Sequence, residues 1–319
     1  GCGKSTFLNN LLKKFEEYAN TPEGQRYETL WRIDRKLVKT RPELSTLSVF
    51  EKLLEMQKDT DAKQFRKIQT MADPDGGNGY LEVTCPSHDH PLLMVPKELR
   101  RSIFDELFEN DEFKWKLFTD KEYEWVFKDV PCTICTSIYH ALLEHMESPF
   151  TVFQSIFARP FQFNRRLGEG ISVFNPGDKP LRKPVLSNER LQNRINRIFR
   201  DSNQVNYIFS RYAKTNNGIY ALMDIKSNNT DRFTELHNII SEGVHKIEDI
   251  EENVNSLFFA LMNPEDTKNI ADFPSFSDRI EYIKIPYVLD INTEVEIYRN
   301  IFGKHIEESF LPRVLHNFA

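Results

Sequence analysis

The first six residues, Gly1-Cys2-Gly3-Lys4-Ser5-Thr6, constrain this chain more than any other stretch. They match the second half of the phosphate-binding pattern G-x-x-x-x-G-K-[ST], whose glycines let backbone N–H groups turn inward around phosphates. In that pattern Lys4 reaches the β- and γ-phosphates and Ser5 places its hydroxyl on Mg²⁺. The residues that follow, Phe7 to Phe15, are apolar at helical spacing. The loop therefore opens a helix, whose N-terminus favours anions. ATP and Mg²⁺ are the cofactors implied, with Gly1, Cys2, Gly3, Lys4, Ser5 and Thr6 as the nucleotide-binding residues. The competing reading is a glycine-rich turn without a ligand.

A P-loop enzyme also needs an acid at the end of a buried strand to hold Mg²⁺. Three stretches end in aspartate. Leu30 to Asp34 is interrupted by Arg32 and reads as a neighbouring strand. Ile285 to Asp290 is broken by Pro286, and Asp290 reads as the cap of the next helix. Gly218 to Asp224 is an uninterrupted apolar run, so Asp224 is the expected metal ligand, against a plain loop residue after a core strand. The position after it is Ile225, where motor-type ATPases carry a water-activating glutamate. A helix from Thr230 carries Phe233, Leu236, Ile239 and Ile240 on one face and stops at Gly243.

Ser256 to Asn263 reads as another buried strand, with Asn263 placed to orient an attacking water. Then come Arg279, a strand at Tyr282 to Pro286, and a helix opened by Thr293-Glu294-Val295-Glu296 with capping-box spacing. This order is that of an AAA+ module, in which Arg279 reaches the neighbouring subunit's nucleotide. A surface salt bridge is the plainer role for it. The expected fold is α/β, a P-loop NTPase (AAA+) parallel sheet flanked by helices. Lys4, Asp224, Asn263 and Arg279 are its catalytic candidates.

Lys4 to Asp224 is far longer than one strand–helix repeat. The expected division is 1–40 for the start of the core, 41–201 for an insertion, and 202–319 for the rest of the core. The insertion holds three of the four cysteines, as Cys85-Pro86-Ser87-His88 and Cys132-Thr133-Ile134-Cys135. A C-x-x-H pair and a C-x-x-C pair give four ligands for a structural Zn²⁺, Cys85, His88, Cys132 and Cys135. His90 could replace His88, and C-x-x-C could instead be a redox pair. The aromatics Phe104, Phe108, Phe113, Trp115, Phe118, Tyr123 and Trp125 read as core. Arg165 to Asp178 reads as a loop–strand–turn facing a substrate or a subunit.

A net charge of −6 offers no basic footprint for nucleic acid. No window of eighteen apolar residues occurs, so no membrane partner is expected. The start inside a motif and a helical pattern running to Ala319 suggest a piece of a longer protein.

Taken together, GCGKST, Cys85-Pro-Ser-His-Asp-His-Pro-Leu, the Cys132/Cys135 pair, Leu236-His-Asn-Ile-Ile, Arg279-Ile-Glu-Tyr-Ile-Lys-Ile-Pro-Tyr and Asn292-Thr-Glu-Val-Glu-Ile-Tyr resemble the PrkA-type serine protein kinases over nearly the whole chain. The resemblance implies a cytoplasmic protein with an AAA+ core, a protein substrate and self-assembly into a homo-oligomer. No H-R-D or D-F-G signature is present, so the kinase activity comes from the resemblance alone. The alternative is an AAA+ machine that spends ATP on remodelling or proteolysis of a protein partner.

Overall fold

The computed structural model describes residues 3–34, 79–108, 112–175, 178, 185–199, 204–223, 230–263, 279–285 and 290–302. Helix α1 (Lys4–Ala19) leads into strand β1 (Arg26–Asp34). Strand β2 (Tyr80–Thr84) is followed by a 3-10 turn at Pro91–Met94 and by helices α2 (Lys97–Leu107), α3 (Glu112–Thr119), α4 (Glu124–Lys128), α5 (Thr133–Met146) and α6 (Pro149–Phe153). Strands β3 (Ile156–Phe161), β4 (Ile171–Phe174) and β5 (Val185–Ser187) precede α7 (Glu189–Phe199), β6 (Ile208–Ser210), α8 (Arg211–Lys214) and β7 (Ile219–Leu222). Then come α9 (Thr230–Glu242), β8 (Val244–Ile247), β9 (Ile250–Asn253), β10 (Leu257–Ala260) and α10 (Ile291–Phe302). Among the described residues, no helix is long and apolar enough to cross a membrane.

The fold is mixed α/β and contains a parallel sheet, in the order β10-β7-β4. All four residues of the central strand β7 are buried, as expected for a parallel strand covered on both faces. Helix α1 covers one face because Leu8 and Leu12 lie one turn apart. They pack with Ile171, Ile219, Ala221 and Met223. Strand β4 falls within the range read as insertion, yet it is the parallel neighbour of β7 and not a subunit-facing hairpin. Arg165 likewise turns inward, its Nη2 donating to Asn9 Oδ1 of α1 at 2.6 Å.

A second sheet is antiparallel, in the order β2-β1-β3. Leu30 to Asp34 therefore lies at its centre rather than beside the parallel strands. Arg32 no longer interrupts anything, because alternation sends it to the exposed face while Trp31 and Ile33 are buried. It pairs with Glu82 at 2.7 Å and sits over the Phe157 ring. Pro160 is tolerated because β3 is an edge strand. The buried face packs Trp31, Ile33, Leu81 and Val83 against Ile134, Ile138 and Leu142 of α5.

The aromatic stretch is only partly core. Phe104 is buried with Leu117 and Val126 in a satellite cluster that Phe108, Phe118, Tyr123 and Trp125 flank, while Phe113 and Trp115 are exposed. Helix α9 ends at Gly243, whose φ is 69°, and Asp290 caps α10 by accepting the Thr293 N–H at 2.8 Å. That helix starts at Ile291, so Thr293 lies inside its first turn and is not the cap expected from the capping-box spacing. Residues 282–285 form no strand, and Ile283 is exposed.

The starts of β4 and β7 touch at two glycines. A Cβ on Gly218 would overlap the carbonyl of Gly170, which is itself bonded to the Ile219 N–H. A backbone neighbour has no rotamer by which to yield. Gly218→Ala is therefore expected to destabilise the protein by about 2–3 kcal/mol, read as a lowered urea midpoint.

Candidate functional site

Helix α1 begins at Lys4, and the preceding Gly3 has φ 70°, a left-handed conformation that favours glycine. The first turn carries no acidic residue, so its free N–H groups remain suited to an anion. The Lys4 ammonium extends across the sheet to the carboxyl end of β10. It donates to the Met262 carbonyl at 2.9 Å and to Asn263 Oδ1 at 2.7 Å. Ser5 is exposed, and Thr6 is half-buried. Lys4 is thus brought to Met262 and Asn263, 258 and 259 residues away along the chain. Arg279 is exposed and makes no hydrogen bond or ion pair among the described residues. Gly1, Cys2 and Asp224 lie outside the described residues.

A second site lies inside the core of the antiparallel sheet. Cys85 follows β2, Cys132 is the N-cap of α5, and Cys135 sits in its first turn. The sulfurs of Cys85 and Cys132 are 3.7 Å apart. With one carboxylate oxygen of Asp89, the three sulfurs form a buried group whose atoms all lie within 4.8 Å, a set that could hold one metal ion. Each sulfur also accepts a hydrogen bond. Asp89 N donates to Cys85 at 3.3 Å, Cys135 N to Cys132 at 3.4 Å, and the Trp31 indole to Cys135 at 3.4 Å. Donors aimed at sulfur favour the thiolate that a metal requires. Burial pushes the Cys85 and Cys135 thiols and the Asp89 carboxyl well up. Hydrogen bonds from Cys135 and Cys85 hold Cys132 well below the usual thiol range.

The fourth member is Asp89, where the C-x-x-H spacing had pointed to His88. The reason is backbone geometry. His88 has φ 56°, which turns its ring away from the sulfurs and brings the next side chain toward them. Its Nδ1 lies 2.8 Å from Glu28 Oε2, its Nε2 lies 3.1 Å from the Lys214 carbonyl, and its ring stacks on Phe161. His90 is engaged elsewhere, its Nδ1 accepting the Leu92 N–H at 3.2 Å. The Asp89 carboxylate also accepts the Cys132 N–H at 2.7 Å, which ties the two cysteine-bearing loops together. A carboxylate four residues after Cys85 was the available signal in the sequence.

Beside this cluster lies a cleft of about 560 Å³ lined by Cys85, His88, Glu28, Arg159 and Lys214 among others. Glu28 is buried at its floor, held by His88 and by Arg159 Nε at 2.8 Å. Comparison with protein-family models, with curated proteins and with solved structures returned no match.

Proposed function

We propose that this chain is the ATP-binding core of an AAA+ serine protein kinase similar to the PrkA type. The observation that carries the reading is the Lys4 ammonium at the start of α1, hydrogen-bonded to Met262 and Asn263 where β10 ends. The residues suit a nucleotide. Gly3 provides the left-handed turn, the acid-free helix start offers N–H groups, and Lys4 provides a cation. In this reading residues 1–6 cradle the phosphates, Ser5 and Asp224 hold Mg²⁺, and Asn263 lies beside the terminal phosphate. Arg279 serves a neighbouring copy in a homo-oligomer. Phosphoryl transfer rests mainly on positioning and charge stabilisation, which these groups supply.

Zinc is the metal we assign to the second site, in a structural role. Zn–S bonds of about 2.3 Å in a tetrahedron place sulfurs about 3.8 Å apart. The Cys85–Cys132 separation of 3.7 Å is close to that edge. Four protein ligands leave no open position for catalysis.

The reading is tested by incubating the protein and its Lys4→Ala variant with γ-labelled ATP and casein. Label on casein serine is expected with the wild type and at least a tenfold loss with Lys4→Ala. Labelled free phosphate without labelled casein would favour a machine that couples turnover to remodelling of a partner. The contact of Asn263 with Lys4 suits that second reading, since it places a polar group where hydrolysis could be sensed. No nucleotide binding by either protein would overturn both.

A further inference from the structure

The starts of the three parallel strands converge on one junction. Gly170, just before β4, donates its N–H to the Lys214 carbonyl at 2.8 Å and accepts from Ile219 at 2.8 Å. Asn217, just before β7, donates its N–H to the Asn255 carbonyl at 2.8 Å, and Leu257 of β10 donates to Gly218 at 2.9 Å. His88 enters this junction from the metal-site loop. Its Nε2 lies on the same Lys214 carbonyl that Gly170 uses, and its own carbonyl accepts Asn217 Nδ2 at 3.1 Å. Its ring stacks on Phe161, which packs in the same cluster as Leu8 and Leu12 of α1. Both His88 and Asn217 hold positive φ, at 56° and 62°. A non-glycine residue stays in that region only when its surroundings hold it there.

We propose that metal occupancy at Cys85, Asp89, Cys132 and Cys135 is transmitted to the parallel sheet through His88, which acts as a positioning residue and not as a ligand. The inference rests on the metal reading of that site and is independent of the nucleotide reading. The loop from Cys85 to Asp89 is short, and both of its ends belong to the ligand set. An ion fixing both ends fixes the strained residue between them, and with it the bonds to Lys214 and Asn217. Without the ion, the Asp89 carbonyl keeps its bonds from the Thr29 N–H and hydroxyl, and the Asp89 carboxylate keeps the Cys132 N–H. The Cys85 and Asp89 side chains, however, are no longer tied to each other except through the Asp89 N–H on sulfur. The loop then gains freedom, and the junction at the strand starts loosens with it. Lys4 and Asn263 lie at the opposite ends of these strands, so any nucleotide bound there would be affected by the metal.

Hydrogen–deuterium exchange of the β7 and β10 amides, with and without one equivalent of Zn²⁺, tests this. In the wild type, metal is expected to slow exchange at residues 219–222 and 257–260 about tenfold. His88→Gly keeps the positive φ and removes the imidazole. It is expected to bind one equivalent of Zn²⁺ and to show no such slowing. The same slowing in His88→Gly, or none in the wild type, would overturn the inference. So would loss of metal binding in His88→Gly, because the imidazole would then be a ligand. A wild type that binds no Zn²⁺ removes the metal reading itself, and the inference falls with it. If His88→Gly does not fold, Asn217→Gly decides the matter. It deletes one hydrogen bond at a position that already has positive φ, and an undiminished wild-type response in it would count against transmission.

Discussion

A Cys135→Ala protein is expected to lose stoichiometric metal and to melt about 6 °C below the metal-loaded wild type. Cys135 is fully buried, and its sulfur sits with Cys85, Cys132 and Asp89 inside the same core as Trp31, Ile33 and Ile138. The ion would therefore join strand β2 to helix α5 at the centre of the antiparallel unit. A ligand held at a thousand times its dissociation constant stabilises the folded state by about 4 kcal/mol. In a protein of 319 residues each kcal/mol is worth roughly 1.5 °C. Structural zinc sites bind tightly enough to reach that regime. A chelator added to the wild type should produce the same drop, measured by calorimetry alongside metal analysis. Asp89→Asn keeps the shape but removes a charged ligand, and should weaken the metal by 10–100-fold or more. His88→Gly should not. If the wild type melts at the same temperature with and without chelator, the staple is not metallic and the cluster is simply three packed thiols with a carboxyl group.

The parts of this fold that were legible from the sequence are those set by local pattern. The helix from Lys4, the buried strand before Asp224, the stop at Gly243 and the capping role of Asp290 all follow from periodicity or from one residue's side-chain chemistry. Pairing partners were not legible. Leu30 to Asp34 reads equally well as a neighbour of the core strands or as the centre of another sheet, because alternation reports faces and not partners. Ile171 to Phe174 reads as the strand of a loop–strand–turn, but its place in the parallel sheet comes from β7, which lies far along the chain. The cysteine pairs come together in a group that could hold a metal ion, but their spacing pointed to His88 or His90 and not to Asp89. That choice was made by a left-handed backbone at a residue other than glycine, which no residue type announces. Arg100 carried no signal at all. It stands beside Arg101, and two adjacent arginines are an ordinary surface pattern.

Arg100→Ala is the substitution outside the metal site from which the largest loss is expected, about 3–5 kcal/mol. The guanidinium is buried, at 1% exposure, and has no carboxylate partner in its hydrogen bonds. Instead it donates to four backbone carbonyls. Nε meets Val95 at 2.8 Å, Nη1 meets Val126 at 2.8 Å and Asp129 at 2.7 Å, and Nη2 meets Leu93 at 2.9 Å. These carbonyls belong to the turn before α2 and to the end of α4, so one side chain closes both. Truncation leaves several buried acceptors without donors, each costing about 1–3 kcal/mol before relaxation. Lysine should rescue poorly, since a single ammonium cannot reproduce a planar fork reaching carbonyls in three directions. The damage should also be local. Phe104, Leu117 and Val126 form a cluster separate from the core that holds the three cysteines and from the core beneath α1. Hydrogen exchange in Arg100→Ala should therefore accelerate across residues 93–129 while residues 219–222 keep most of their protection. Uniform acceleration through both regions would mean that the helices from α2 to α4 and the parallel sheet unfold as one unit.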